Sequence, residues 1–152
     1  MSKLPTVLAA MNGLKDTEVL IGIPDRGERD GDSGSGISNA ELAYIHSHGS
    51  PKMGIPARPF LQPSIEANRD KIAAQQAKVI KAALDGNISL TLINLERVGL
   101  MGQNFAKGWF KNAENHWEPN SPATIKQKGS DSPLIDTGQL RNAITYVVRK
   151  DA

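Results

Sequence analysis

The sequence predicts an α+β fold, in which a small antiparallel sheet packs against two long helices and several short ones. Two strand-like segments lie near opposite ends of the chain: 18–23, which is rich in β-branched residues, and 143–149, in which apolar residues alternate. Between them, apolar residues recur at helical spacing over two long stretches, 63–84 and 88–112. Terminal strands that enclose central helices predict one mixed core rather than a run of repeats.

The composition is typical of one globular domain without crosslinks. The chain has 152 residues, 39% hydrophobic and 22% charged, so we expect a single domain over 1–152 with a flexible loop at about 24–37. Cysteine is absent, which excludes disulfides and thiol catalysis and suits a reducing cytoplasm. No apolar run approaches the roughly 18 residues of a membrane helix, and no secretory signal is visible. We therefore expect no membrane partner.

Charge is distributed unevenly along the chain. Residues 1–50 hold four Lys or Arg against seven Asp or Glu, and residues 51–152 hold fourteen against nine. An acidic front and a basic back favour head-to-tail contacts between copies, although ordinary scatter gives the same pattern. A net charge of +2 and 5% aromatic residues do not indicate a nucleic-acid-binding surface.

The first elements are a short helix, a strand and a polar loop. Apolar residues at spacings of three and four predict a helix over 3–12 that ends at Gly13. The β-branched segment 18–23 predicts a strand ended by Pro24. Residues 24–36 carry nothing apolar apart from that proline, so they predict a flexible loop.

A capping box marks the next helix. Ser38 followed by Glu41 predicts a helix over about 39–48, ending at Gly49. Residues 50–60 contain three prolines and predict an extended or turning connection.

The two long helices form the centre of the predicted fold. The first begins at Pro63 and ends after Leu84, and the second covers 88–112. The predicted inward stripes are Ile65, Ile72, Val79, Ile80 and Leu84 on the first, and Leu92, Leu95, Val98, Met101, Phe105 and Trp109 on the second. Glycines within the second helix predict close packing or a bend, with a break near Gly99–Gly102 as the alternative.

Turn chemistry defines the last third of the chain. Residues 121–129 predict a short helix with Pro122 at its start. Asp136 or Thr137 predicts the cap of another short helix that runs to Asn142. The strand at 143–149 then pairs antiparallel with the first strand.

The sequence contains partial matches to catalytic and metal-binding motifs, but the residues around them lack what each motif requires. The sequence Gly31-Asp-Ser-Gly34 matches a serine-protease motif, but no histidine precedes it and the chain is too short. Asp30, Asp32 and Glu41 match part of a calcium loop that lacks its glycine and its entering helix.

The remaining histidines and carboxylates form no recognisable pair. His46 and His48 are two apart on a predicted helix, so they point in different directions. Glu118 and Asp136 are isolated carboxylates, and no phosphate-binding loop or dinucleotide fingerprint is present. We expect no enzymatic activity, no catalytic or cofactor-binding residue, no metal and no cofactor.

Four segments in order resemble a family of tailed-bacteriophage proteins, the tail-completion or virion morphogenesis proteins. They are Tyr44-Ile-His-Ser-His-Gly49, Ile55-Pro-Ala-Arg-Pro-Phe-Leu61, Trp117-Glu-Pro-Asn-Ser-Pro-Ala-Thr124 and Pro133-Leu-Ile-Asp-Thr-Gly-Gln-Leu-Arg141. The family typically shows H-x-x-G, I-P-A-R-P-F, W-x-P-x-S-x-x-T and P-L-x-D-T-G-x-L in that order. The loop at 24–36 is longer than the family pattern.

The resemblance implies a structural virion protein of the phage neck or the head-proximal tail end. Such a protein forms a ring of copies, usually about six or twelve, with head-to-tail interfaces that close. Its partners are neighbouring connector or portal-side proteins and tail-tube-side proteins. Genomic DNA passes through the ring only as cargo. The expected location is the virion, with the host cytoplasm during assembly.

Residues within these segments are the candidates for assembly contacts. Proline rings on both sides of Arg58 make a rigid extended segment, after which the chain enters the core. We expect Arg58 to contact Asp136, within a subunit or between two copies. The interface candidates are Arg58, Pro59, Phe60, Asp136, Thr137, Gly138 and Leu140.

Two other function classes remain open from the sequence. A non-structural interaction or regulatory protein of a phage or host would bind its partner transiently. A hydrolase would use Asp136 or Glu118 as its carboxylate.

Overall fold

The computed structural model describes residues 3–25, 36–119, 122 and 138–150. In chain order the elements are α1 (Leu4–Leu14), β1 (Thr17–Gly22), α2 (Asn39–His48), α3 (Leu61–Ala67), α4 (Arg69–Leu84), α5 (Ile88–Trp109), α6 (Gln139–Asn142) and β2 (Thr145–Lys150). Single 3₁₀ turns lie at Pro51–Met53 and Ala113–Asn115. The predicted α+β class is confirmed. Apart from Pro122, the predicted helix at 121–129 lies outside the described residues, as does most of the predicted loop at 24–36.

The two predicted strands pair as expected. β1 and β2 are antiparallel, with six consecutive pairs from Thr17 opposite Lys150 to Gly22 opposite Thr145. Glu18 and Arg149 face each other on one side of this ribbon and form an ion pair of 2.7 Å. The opposite side packs on α5. The sheet therefore joins the two ends of the described chain to the longest helix.

α1 extends one residue beyond the predicted stop. Gly13 lies inside the helix, which continues to Leu14. The chain turns instead at Asp16, which has a positive φ of 62°. Thr17 then donates its hydroxyl to the Gly13 carbonyl at 2.8 Å, which satisfies one of the free carbonyls at the helix end. Gly13 was therefore the wrong stop signal.

α2 has the predicted boundaries. The Ser38 hydroxyl accepts from the backbone N–H of Glu41 at 3.1 Å, and the Glu41 carboxylate accepts from the backbone N–H of Ser38 at 2.9 Å. Gly49 ends the helix with a φ of 75°, where an added Cβ would lie 2.8 Å from the Ala57 nitrogen. Both the conformation and the space at this position require glycine.

The first long helix is broken, contrary to the prediction. α3 begins at Leu61, so Pro63 is not the first helical residue, and α4 starts anew at Arg69. Asn68 separates the two with a φ of −110° and a ψ of 17°. Its side-chain amide donates to the Ser64 carbonyl at 2.8 Å. A side chain that bonds the local backbone in this way competes with a continuous helix.

α5 is continuous, so the predicted alternative of a break near Gly99–Gly102 is wrong. A Cβ on Gly99 would overlap the Tyr146 ring, and one on Gly102 would overlap the end of Ile21. Both glycines therefore let the sheet approach the helix closely, as the close-packing interpretation predicted.

Burial follows the predicted helical stripes only in part. Val79, Val98 and Trp109 are buried, but Ile80, Leu84 and Leu92 are exposed. The buried face of α4 also contains a polar residue that periodicity did not predict, Gln75, whose amide donates to Asn94 Oδ1 on α5 at 2.9 Å. Periodicity identified apolar faces correctly but did not identify which faces the chain itself covers.

Candidate assembly site

The candidate site lies where two segments that resemble the phage family meet. The segment 55–61 leaves the turn after α2 and enters the core, and the segment 116–119 follows the end of α5. About sixty residues of sequence separate them. We call their junction the Arg58–Trp117 clasp, after the two side chains that hold it.

Arg58 holds one side of the clasp. Its side chain is 7% exposed, and its Nε and Nη2 atoms donate to the Glu118 carbonyl at 3.1 and 2.6 Å. Nη2 also donates to the Pro119 carbonyl at 3.4 Å. Its backbone N–H donates to the His46 carbonyl at 2.7 Å, which ties the segment to α2.

Burial of the Arg58 guanidinium disfavours its charged form. Desolvation lowers the pKa of the guanidinium, and attraction to the nearby Glu118 carboxylate partly opposes that shift. An arginine side chain stays protonated in proteins, so the charge persists in the folded state. The carbonyl acceptors of Glu118 and Pro119 therefore compensate a buried cation.

Trp117 holds the other side. Its indole N–H donates to the Pro59 carbonyl at 3.0 Å. Its ring packs edge-on against Phe110 at 5.4 Å between centroids, and Phe110 packs edge-on against Phe60 at 5.1 Å. This series of rings carries the clasp into the core, since edge-to-face pairs are a favoured aromatic geometry.

Asn115 positions Trp117. Its side-chain amide donates to the Trp109 carbonyl at 2.9 Å, and its side-chain oxygen accepts from the Trp117 N–H at 2.9 Å. The clasp is thereby fixed to the C-terminal end of α5.

Leu140 and Gly138 reach the same region from α6. Leu140 belongs to the buried cluster that contains Phe60, Phe110 and Ile144. Gly138 is the N-cap of α6 with a φ of 75°, so the capping position lies one residue later than Thr137. Arg141 donates from Nε to the Lys107 carbonyl at 2.9 Å and anchors α6 to α5.

The structure therefore brings together four of the predicted site residues, Arg58, Pro59, Phe60 and Leu140, and places Gly138 at the start of α6. Asp136 and Thr137 lie outside the described residues, so the expected contact between Arg58 and Asp136 stays a prediction. Sequence reasoning did not select Trp117 as a site residue. Two features of the sequence could have indicated it: Trp117 begins the W-x-P segment, and it is one of only two tryptophans in the chain.

Two other kinds of functional feature are absent from the described residues. The described part of the chain contains no group of three His, Asp or Glu side chains placed to hold a metal ion. None of its helices has both the length and the apolar character needed to cross a bilayer.

Comparison of the chain with protein-family models, with curated proteins and with solved structures finds no match.

Proposed function

We propose that this chain is a structural protein of the neck or head-proximal tail end of a tailed bacteriophage. In this role, copies form a ring that completes the tail and joins it to the head connector while DNA passes through the opening. The ring occupies the virion, and its subunits are in the host cytoplasm during assembly.

The observation that carries the proposal is the Arg58–Trp117 clasp. Two of the segments whose joint order carries the resemblance, I-P-A-R-P-F and the W-x-P start of the next one, are hydrogen-bonded to each other in the folded chain. A joint function for the segments explains why both occur in one sequence in this order.

The bonding pattern of the clasp favours a scaffold over a reaction centre. The donors of Arg58 and Trp117 point to backbone carbonyls of the same chain, namely those of Glu118, Pro119 and Pro59. Groups bonded in this way fix the path of two loops relative to α5. A fixed loop surface is what a ring subunit presents to its neighbours, and we propose no catalytic role for it.

The copy number in purified particles tests the proposal. Quantitative mass spectrometry of phage particles that encode this chain should find it at a fixed ratio to the portal protein, consistent with about six or twelve copies per ring. A chain that is abundant in the lysate and absent from purified particles would contradict the proposal and favour the regulatory class.

A further inference from the structure

α1 is held on its own chain through one narrow side. Val7, Ala10 and Leu14 follow one another at spacings of three and four, so they lie on one face of the helix. Ala10 is buried and the other two are half-buried, whereas the remaining residues of α1 are exposed. The helix packs on α4 and α5. Releasing α1 from them uncovers little of its apolar surface, so the free energy of release is small.

The position of α1 is fixed at the turn between α4 and α5. Gly86 in this turn has a φ of 73°, and a Cβ added there would lie 3.2 Å from Thr6 Cβ. Glycine therefore permits both the turn and the close approach of α1. The site on α4 and α5 is shaped for α1, and the identical helix of a second copy fits it by the same contacts.

The connection between α1 and β1 is short and strained. It consists of Lys15 and Asp16, and Asp16 is one of two non-glycine residues with a positive φ in the described part of the chain, at 62°. Aspartate enters this left-handed region more readily than most residues, but an extended conformation is lower in energy. The Thr17 hydroxyl donates to the Gly13 carbonyl at 2.8 Å across this connection. An extended Asp16 would release the strain.

From the narrow docking and the strained connection, we propose that α1 is exchanged between copies. In the exchanged pair Asp16 is extended, and α1 of each copy occupies the site on α4 and α5 that α1 of the other copy has left. The exchange keeps the packing of the single chain and relieves the strain at Asp16, a combination that favours such exchange. The occupant is a second copy because the structure shows the site filled by this same helix.

The exchange also limits how two copies can be arranged. α1 is about 16 Å long, and the two residues of the connection span about 7 Å when extended. The starts of the two β1 strands must therefore lie close together for each α1 to reach the other copy. The proposal goes beyond the proposed function, since it rests on α1 and its connection and not on the phage role. The copy number in purified particles tests that role separately, so neither failure is mistaken for the other.

Cysteine chemistry detects the exchange directly, because the chain has no cysteine of its own. Thr6→Cys chains are mixed with Gly86→Cys chains, one kind carrying a tag that changes its mass, and the mixture is oxidised mildly after incubation. Positions 6 and 86 adjoin each other in the folded chain, so a rapid disulfide between two chains requires α1 of one to dock on the other.

The matched control uses Leu8→Cys in place of Thr6→Cys. Leu8 is exposed and lies about 200° round the helix from Thr6, so it faces away from the turn. The mixed 6–86 dimer should form at least about ten-fold faster than the mixed 8–86 dimer, because docking raises the effective concentration of the first pair only. Equal rates for the two pairs overturn the proposal.

Substitutions of Asp16 test the connection without cysteine and without changing the docking site. Proline cannot adopt a positive φ, so Asp16→Pro forbids the closed connection, whereas Asp16→Gly adopts it without strain. In sedimentation, Asp16→Pro should form dimers of the 16.4 kDa chain at a protein concentration at least about ten-fold lower than wild type requires. Asp16→Gly should require a higher concentration than wild type.

A second substitution shows whether any dimer depends on docked α1. Adding Ala10→Glu to Asp16→Pro should abolish the dimer, because a charge at this buried position prevents α1 from docking in either copy. A dimer that persists would arise from another surface and would overturn the proposal. An Asp16→Pro chain that stays monomeric or loses its fold, or one that dimerises no more readily than Asp16→Gly, overturns it as well.

Discussion

At the scale of single residues, the buried guanidinium of Arg58 is the contact on which the clasp depends most. Pro56 and Pro59 restrict the backbone of the segment that carries it. The acceptors of the guanidinium are the backbone carbonyls of Glu118 and Pro119. Every residue carries a carbonyl, so no residue type in the sequence could have indicated these partners.

Arg58→Lys should destabilise the fold by about 1–3 kcal/mol, because a lysine cannot reproduce the two guanidinium bonds to one carbonyl. Arg149→Lys is the matched control, since Arg149 lies in an exposed ion pair with Glu18 and should cost less than about 1 kcal/mol. Urea unfolding of both variants measures the difference. Equal losses would show that the clasp does not depend on the guanidinium.

Tyr146 gives a prediction about pH. Its hydrogen bond to Glu96, followed by desolvation and the negative charge of Glu96, raises the pKa of the phenol. The unfolded chain loses this proton near pH 10, so the stability contributed by neutral Tyr146 is present below that pH and is lost as pH rises through the folded-state pKa.

The free energy of unfolding of wild type should therefore fall relative to that of Tyr146→Phe as pH is raised from 8 to about 10.5. The free energies of unfolding of Glu96→Gln and of the double variant Glu96→Gln, Tyr146→Phe should differ by an amount that changes less over the same pH interval. The reason is that the charged partner of Tyr146 is absent from both proteins. A constant difference between wild type and Tyr146→Phe would contradict the assigned hydrogen bond.

At the scale of elements, α5 shows what glycine content does and does not predict. Three glycines in one helix left a break and close packing as alternatives, and the continuous helix with Tyr146 and Ile21 against Gly99 and Gly102 decides for packing. What packs against a given face of a helix depends on tertiary contacts, so the sequence alone could not decide between a break and close packing.

Alanine substitutions at two glycines of α5 should change the stability of the fold in opposite directions. Gly108→Ala should stabilise the fold by up to about 1 kcal/mol, because nothing lies within 4 Å of the added Cβ and alanine is the better helix former. Gly102→Ala should destabilise it by about 1–3 kcal/mol, because the methyl group overlaps Ile21.

Thermal unfolding of the two variants and of Gly102→Ala combined with Ile21→Val tests this account. The smaller valine should recover part of the loss. Stabilisation by Gly102→Ala of the same size as by Gly108→Ala would show that the sheet does not pack closely on α5.

At the scale of the whole molecule, the sequence was sufficient for the class of fold and for the strand pairing. It placed α2 correctly through its capping box, and it failed at Asn68, where a local side-chain bond interrupts the predicted helix. For the site, the rigid arginine segment was predicted and Trp117 was overlooked. Asp136 and Thr137 lie outside the described residues.

The exposed apolar faces are the main departure from the sequence-based core. Ile80 and Leu84 were predicted to face inward because periodicity reports an apolar face without reporting what covers it. In a ring subunit, a neighbouring copy is expected to cover such faces. The exposure of Ile80 and Leu84 is therefore compatible with the proposed ring.

A structural role at the junction of phage head and tail can be tested by electron microscopy of lysates from a phage that lacks this gene. We expect DNA-filled heads beside complete but unattached tails, or tails of abnormal length if the ring ends the tail tube. Normal, infectious particles would contradict it.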